Sequence, residues 1–308
     1  MKQPIRVNFA FFWPGFTPET FRAFFPFVYE KYEITVSEDP QVIFYSAFTP
    51  NQSHYPDPRD TAAMPRLRPG KYQRVFFTGE NFEPRMDDTD FAITFSTLVN
   101  HPNHLRLPLW VYENRAWGYP PERLIKEPNM DWEEIADRKS RFCNFVYAHP
   151  VQFRDSAFRS LSRYKQIDSA GSHLNNLGGR LVPHLPNRTA GKVGFFGAYK
   201  FTLAIENMIW PGYQTEKLVD PMYAASVPIY MGDPMARRTF DPDSYIDLMS
   251  FSSSKEMFEF VAEVDNNRDL YLRLLSAPYF LNNRLPECAR EDRILSFFDR
   301  IFGAASAM

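Results

Sequence analysis

At 308 residues the chain exceeds the usual span of one hydrophobic core, which sets two domains as the expectation. Its 44% apolar and 23% charged residues exclude a disordered chain, and a formal net charge of −2 excludes broad, nonspecific binding to nucleic-acid phosphates. Any anionic ligand must be met by locally placed Lys and Arg. The two cysteines, Cys143 and Cys288, lie far apart and outside any CxxC spacing, so a disulfide framework and a zinc site are both poorly supported. No stretch reads as a signal peptide or a membrane span, and a soluble, cytoplasmic protein with reduced thiols is the expectation.

In chain order, residues 5–12 read as a buried strand. Thr17, Pro18 and Glu19 then give an N-cap, a proline at the first helical position and an acidic first turn, predicting a helix to about residue 31. Residues 32–36, 42–45, 74–78, 91–95 and 105–111 are strand candidates. Residues 49–70, rich in Pro, Asp, Asn and Arg, read as a surface loop. A linker-like region spans 118–139. A second series begins at 142–147, followed by a helix over 154–164, a strand over 201–206, a helix over 215–225 and a strand over 227–230. Residues 253–266 and 291–302 have the apolar spacing of amphipathic helices. Strands alternating with helices predict two parallel, doubly wound α/β domains, for which a ligand cleft is the default expectation.

The chemistry concentrates after the strand at 201–206. Thr215 is a good N-cap, and Glu216 suits the positive end of the helix dipole. Lys217 opposes it, at a cost of roughly 0.3–1 kcal/mol. An anion at the helix start, such as a diphosphate, would make Lys217 favourable, although a solvated lysine is the bland alternative. Glu206 and Asn207 stand at the carboxyl end of the preceding strand, where doubly wound sheets gather ligands.

Tyr199-Lys200-Phe201-Thr202-Leu203-Ala204-Ile205-Glu206-Asn207, then Tyr213-Gln214-Thr215-Glu216-Lys217, then Val227-Pro228-Ile229-Tyr230-Met231-Gly232 together resemble the hallmark of the α1,3/4-fucosyltransferases, glycosyltransferase family 10. Order, spacing and residue type agree with the family pattern across 199–232. The resemblance extends to residues 142–161 with Arg154, and to Thr78-Gly79-Glu80-Asn81 after the strand at 74–77; in all it covers roughly residues 5–280. Ile205 stands where the family usually has Phe, and Ala148-His149-Pro150 replaces a Ser-Asn pair. The bacterial type fits best.

The resemblance implies a GT-B fold: an acceptor-binding domain over 1–135, a GDP-fucose-binding domain over 136–285, and a C-terminal helix over 286–308 packing back on the first. It implies inverting α1,3-transfer of L-fucose to the N-acetylglucosamine or glucose of a β-galactoside, giving a Lewis-type glycan, at the cytoplasmic side of the inner membrane or in the cytoplasm. Glu80 becomes the general base, and Arg154 and Lys217 the cations on the diphosphate, so that no metal cofactor is required. Asn207, Tyr213 and Glu216 match donor-contacting positions; Tyr199 and Glu206 share the motif, and Lys200 reads as structural. Trp13 is the acceptor-side candidate. Another nucleotide sugar, or a non-catalytic glycan- or nucleotide-binding relative, are the alternatives.

Overall fold

The structure, a computed structural model, describes residues 2–48, 65–178 and 188–307. Of the loop expected at 49–70, residues 49–64 lie outside the described residues, and 65–70 have no regular structure. The chain forms two compact units, each built on one parallel sheet.

The N-terminal unit comprises residues 1–116, 211–213 and 287–308. Its elements are β1 (Gln3–Ala10), α1 (Pro18–Phe24), α2 (Pro26–Lys31), β2 (Tyr32–Val36), β3 (Val42–Tyr45), β4 (Gln73–Phe77), β5 (Phe91–Thr94), β6 (His104–Arg106) and α3 (Leu109–Ala116). The strands order as β2-β1-β3-β4-β5-β6, with Phe9 opposite Phe44 and Val75 opposite Phe91. The helix expected over 17–31 is two helices. Thr17 caps the first as anticipated, but Pro26 has no N–H to return to the preceding turn, and the chain breaks at Phe25 before restarting with Pro26 in the first turn of α2. The strand expected over 105–111 ends at Arg106 for a related reason. Pro108 cannot pair in a ladder, and the residues after it coil into α3, burying Trp110, Val111 and Tyr112.

The C-terminal helix (Glu291–Ser306) belongs to this unit and turns Ile294, Phe297, Phe298, Ile301 and Phe302 into its core. The Phe298 ring lies 5.1 Å from that of Phe25, and Phe302 lies 4.8 Å from Tyr32. Buried aromatic pairs of this kind contribute roughly 0.5–1.5 kcal/mol each beyond their area.

The C-terminal unit comprises residues 117–210 and 214–286. It contains α4 (Trp132–Asp137), β7 (Arg141–Phe145), α5 (Gln152–Leu161), β8 (Ile167–Ser169), α6 (Arg188–Phe196), β9 (Tyr199–Ile205), α7 (Glu216–Tyr223), β10 (Val227–Met231), β11 (Ile246–Asp247), α8 (Ser254–Asn266) and α9 (Arg268–Ser276). The strand order is β11-β10-β9-β7-β8. β9 and β10 are almost continuously apolar because helices cover both faces of such a sheet.

Residues 118–139, read as a linker, are packed into this unit, so the units divide at 116/117 rather than 135/136. Lys126 Nζ donates to the carbonyls of Leu275 (2.6 Å) and Ala277 and lies 3.7 Å from the centre of the Tyr279 ring. Tyr223 donates to the Tyr119 carbonyl at 2.8 Å. Prolines and charges mark this stretch as irregular; they do not mark it as detached. Cys143 and Cys288 are both free and buried.

Candidate functional site

In the C-terminal sheet, β8 is added on one side of β7 and β9 on the other. The loops leaving the carboxyl ends of β7 and β9 must therefore diverge, and a crevice opens between them. A cavity of about 150 Å³ lies there, lined by Tyr147 and His149 after β7, Arg154 on α5, Gly171 and Ser172 after β8, Lys192 on α6, Asn207 after β9, and Glu216 and Lys217 at the start of α7.

Arg154 is 1% exposed. Its Nη2 donates to the Ile205 carbonyl at 3.0 Å and to Asn207 Oδ1 at 2.6 Å, and its Nη1 to the His149 carbonyl at 3.4 Å. The guanidinium sits 3.9 Å from the centre of the Tyr147 ring. Tyr147 is itself fixed, donating to the Leu203 carbonyl at 2.9 Å and accepting from the Ile205 N–H. Among the described residues no carboxylate pairs with Arg154, and its Nε has no hydrogen-bond partner. A buried cation held by carbonyls, an amide oxygen and a π face retains its full positive charge, and an anion in the cavity would meet it.

The start of α7 supplies the second cation. Glu206, fully buried after β9, accepts from the Thr215 N–H (2.8 Å) and hydroxyl (2.7 Å). Only a glycine tolerates this arrangement at 232, where a Cβ would meet Glu206 Cγ at 2.4 Å. Burial pushes the Glu206 carboxyl upward; Lys217 and the Thr215 donors pull against that. Lys217 Nζ lies 3.1 Å from Thr215 Oγ1, 3.4 Å from Glu206 Oε2 and 3.7 Å from Glu216 Oε1. Burial disfavours its charge, but Glu216 and Glu206 outweigh burial and hold its pKa above the ordinary lysine value. The awkward cation in a first helical turn is thus explained in part by the protein's own carboxylates, before any ligand is considered.

Tyr199 is not at the cavity. It occupies the amino end of β9, about 23 Å along the chain from Glu206 at roughly 3.3 Å per residue. Its hydroxyl donates to Asp168 at 2.8 Å and accepts from Arg141 at 3.1 Å, a tie between strands β7, β8 and β9. Glu206 is likewise a support beneath Thr215 and Lys217. Lys200 donates to the Asp265 carboxylate at 2.7 Å and joins β9 to α8. Tyr213 is buried in the N-terminal unit, edge-on to Phe95 with ring centres 5.3 Å apart.

In the N-terminal unit, Glu80 follows β4 in a turn closed by its own N–H donating to Thr78 Oγ1 at 3.1 Å. Gly79 beside it admits α3 closely; a Cβ there would lie 2.2 Å from the Tyr112 hydroxyl. Burial raises the Tyr112 pKa well above the ordinary tyrosine value, and the charges of Glu113 and Glu80 add to it. Trp13 follows β1, at this sheet's own switch point between β1 and β3, packed 5.1 Å from Phe16 and 6.0 Å from Phe48.

Sequence reasoning missed Lys192, Tyr147 and Ser172. One signal pointed to Lys192: Asp220 repeats the charge of Glu216 one helical turn later, in a helix otherwise turned inward. That spacing calls for a cation from another element.

Residues 136–280 match the family model for the C-terminal domain of glycosyltransferase family 10 (fucosyltransferase), and residues 66–112 match that for the α-(1,3)-fucosyltransferase FucT N-terminal domain. The α-(1,3)-fucosyltransferase FucT of Helicobacter pylori is 28% identical over 229 residues, 66% of this chain and 46% of that protein. The GDP-fucose protein O-fucosyltransferase 3 of Xenopus tropicalis is 32% identical over 255 residues, 74% of this chain and 52% of that protein. The chain thus spans about half the length of these relatives. A crystal structure of an α1,3-fucosyltransferase with GDP-fucose superposes with a TM-score of 0.75 at 23% identity, over 98% of this chain and 91% of that one, which shows the GT-B fold. With both domain models in sequence order, and Asn207, Glu216 and Lys217 of the 199–232 motif lining the switch-point cavity, the chain belongs to glycosyltransferase family 10, the fucosyltransferases.

Proposed function

We propose that this chain is an inverting fucosyltransferase, moving L-fucose from GDP-fucose to the N-acetylglucosamine or glucose of a β-galactoside in α1,3 linkage, with a Lewis-type product. The observation that carries the reading is the pair of cations, the buried Arg154 and the part-buried Lys217, on one cavity at the switch point of the C-terminal sheet. They would meet the diphosphate and balance the charge that develops on it as the bond to fucose C1 breaks. Asn207 buttresses Arg154, and Glu216 is suited to accept hydrogen bonds from ribose or fucose hydroxyls. Tyr213 is assigned to the donor by its place in the motif.

In the transfer, the acceptor oxygen attacks the anomeric carbon, its proton passes to the Glu80 carboxylate, and GDP leaves with the electron pair of the broken bond. Attack opposite the leaving group turns the β-linked donor into an α-linked product. Two fixed cations can supply the leaving-group stabilisation that a divalent metal supplies elsewhere, so metal is expected to be dispensable.

A second acceptor reading has its own support. The Xenopus relative, at 32% identity over 74% of this chain, is named as a protein O-fucosyltransferase, which makes a protein hydroxyl the competing acceptor. The test is a transfer assay with GDP-fucose, GDP-mannose and UDP-sugars against free β-galactosides and folded protein acceptors, with the linkage resolved by NMR. Transfer only to protein hydroxyls favours the second reading. Binding of GDP with no transfer from any donor identifies a non-catalytic relative.

A further inference from the structure

β7 ends at Phe145, and from there the chain leaves β9 and stays with the segment that follows β8. The Phe145 carbonyl accepts from the Ala170 N–H at 3.1 Å, and the Tyr147 carbonyl from the His173 N–H at 3.0 Å. Gly171 lies against the Tyr147 backbone, where a Cβ would come within 2.1 Å of the Tyr147 carbonyl oxygen. On the other side, the Leu203 carbonyl and the Ile205 N–H are the two groups that a further residue of β7 would pair on this edge of β9. The Tyr147 hydroxyl takes both, donating to the first at 2.9 Å and accepting from the second at 2.5 Å. Burial pushes the pKa of this phenol upward, with the Arg154 charge pulling against it, so the hydroxyl keeps the proton it donates. The ring is thus strung across the switch point, its backbone on the β8 side and its oxygen on β9.

The Arg154 guanidinium lies 3.9 Å from the centre of that ring. Its hydrogen-bond partners among the described residues are two carbonyls and the Asn207 amide oxygen, and Lys217 on the same cavity repels it. A carboxylate in place of the ring would also hold the guanidinium, but it would cancel the charge that an anionic ligand must meet. A π face attracts the cation and carries no net charge. We propose that Tyr147 is a positioning residue for the donor: its bridged ring is the plate that fixes the Arg154 guanidinium at the cavity without neutralising it. The inference rests on the reading of Arg154 as a cation that meets the diphosphate. Ring and hydroxyl have separate tasks, the ring holding the charge and the hydroxyl completing the edge of β9.

The test is GDP binding by calorimetry, alongside thermal melting. Tyr147→Leu, which removes the plate, is expected to weaken GDP binding about tenfold. Tyr147→Phe keeps the ring, so its GDP affinity should stay within about threefold of wild type while Tm falls, because two buried backbone groups lose their shared partner. In an Arg154→Met background, Tyr147→Leu should weaken GDP binding no further, since the ring acts through the guanidinium. The same tenfold loss in that background would make Tyr147 a general support of the fold and overturn the inference, as would unchanged affinity in Tyr147→Leu alone. If Tyr147→Leu does not fold, phenylalanine analogues of rising fluorine content at 147 carry the test. They nearly keep the shape while the ring face loses its negative potential, and GDP affinity should fall stepwise along the series; a flat series overturns the inference. Arg154→Met separates the two layers. If it binds GDP as wild type does, the reading of Arg154 fails and the role of Tyr147 with it; if it weakens binding while Tyr147→Leu does not, only the role of Tyr147 fails.

Discussion

Arg154→Met is the most informative single change, because Arg154 is a structural strut and a proposed ligand at once. The substitution leaves the Ile205 carbonyl and Asn207 Oδ1 without their donor. Orphaning the buried Ile205 carbonyl costs about 1–3 kcal/mol, the exposed Asn207 amide can turn to water, and removing a desolvated cation relieves part of the loss, for a net of about 1–2 kcal/mol. In a unit of this size that lowers Tm by roughly 2–8 °C. If Arg154 also stabilises the departing diphosphate, kcat falls a further 10²–10³-fold, or about 3–4 kcal/mol of barrier. Stabilisation by GDP, about 2.7 kcal/mol at a hundred times Kd in the wild type, should shrink in the variant. Arg154→Lys keeps the charge but not the planar fork that spans two acceptors, so it should fall between the two. The assay pairs melting curves, with and without GDP, with fucosyl-transfer rates. A variant that melts lower yet binds GDP and turns over within about threefold of wild type would reduce Arg154 to a strut and refute the diphosphate assignment.

Three further outcomes are expected. Glu80→Gln should lower kcat by about 10²–10⁴-fold while GDP affinity, measured by calorimetry, stays within about twofold; full turnover would remove Glu80 as the base. Turnover in EDTA should match turnover with magnesium, because Arg154 and Lys217 are assigned the leaving-group charge; dependence on the metal would contradict that assignment. His104, burial of which pushes its pKa down to about 4, accepts or donates one hydrogen bond with Thr94 at 2.9 Å. The folded state keeps it neutral down to that pH, whereas the unfolded chain protonates it below about 6.5. The unfolded state therefore binds more protons in this window, and stability is lost as pH falls from about 6.5 to 4, by up to about 3 kcal/mol. His104→Gln should flatten the Tm profile over that window; an unchanged slope would assign the acid sensitivity elsewhere.

Much of the architecture is legible from local pattern. The strands at 42–45, 91–95 and 201–206 stand out because helices cover both faces of a parallel sheet, leaving no polar alternation to blur the run. Helices at 253–266 and 291–302 show their apolar stripes, and Thr17 and Thr215 mark helix starts through capping chemistry. Errors fall where one residue overrides the pattern. Pro26 splits a helix that apolar spacing would continue, and Pro108 ends a strand early. The stretch 118–139 fails differently: its prolines and charges look like a linker, and only packing against α9 and Tyr223 makes it part of the C-terminal unit.

Within the site the division is sharper. By itself, the chain's sequence identified the helix start at Thr215, the cation at 217 as out of place, and the family motif that names Arg154, Asn207, Glu216 and Glu80 as a set. Those are properties of residues close in sequence or of a pattern of spacings. Tertiary structure alone decided that Lys217 already has carboxylate neighbours in Glu206 and Glu216, and that Arg154 is buried with no carboxylate partner among the described residues. It also decided that Tyr199 braces the far end of its strand, and that Lys192 arrives from another helix to bridge Glu216 and Asp220. The reason is physical. The charge state and task of a buried ionisable group depend on what lies within a few ångströms of it, and most of those neighbours come from other elements of the chain.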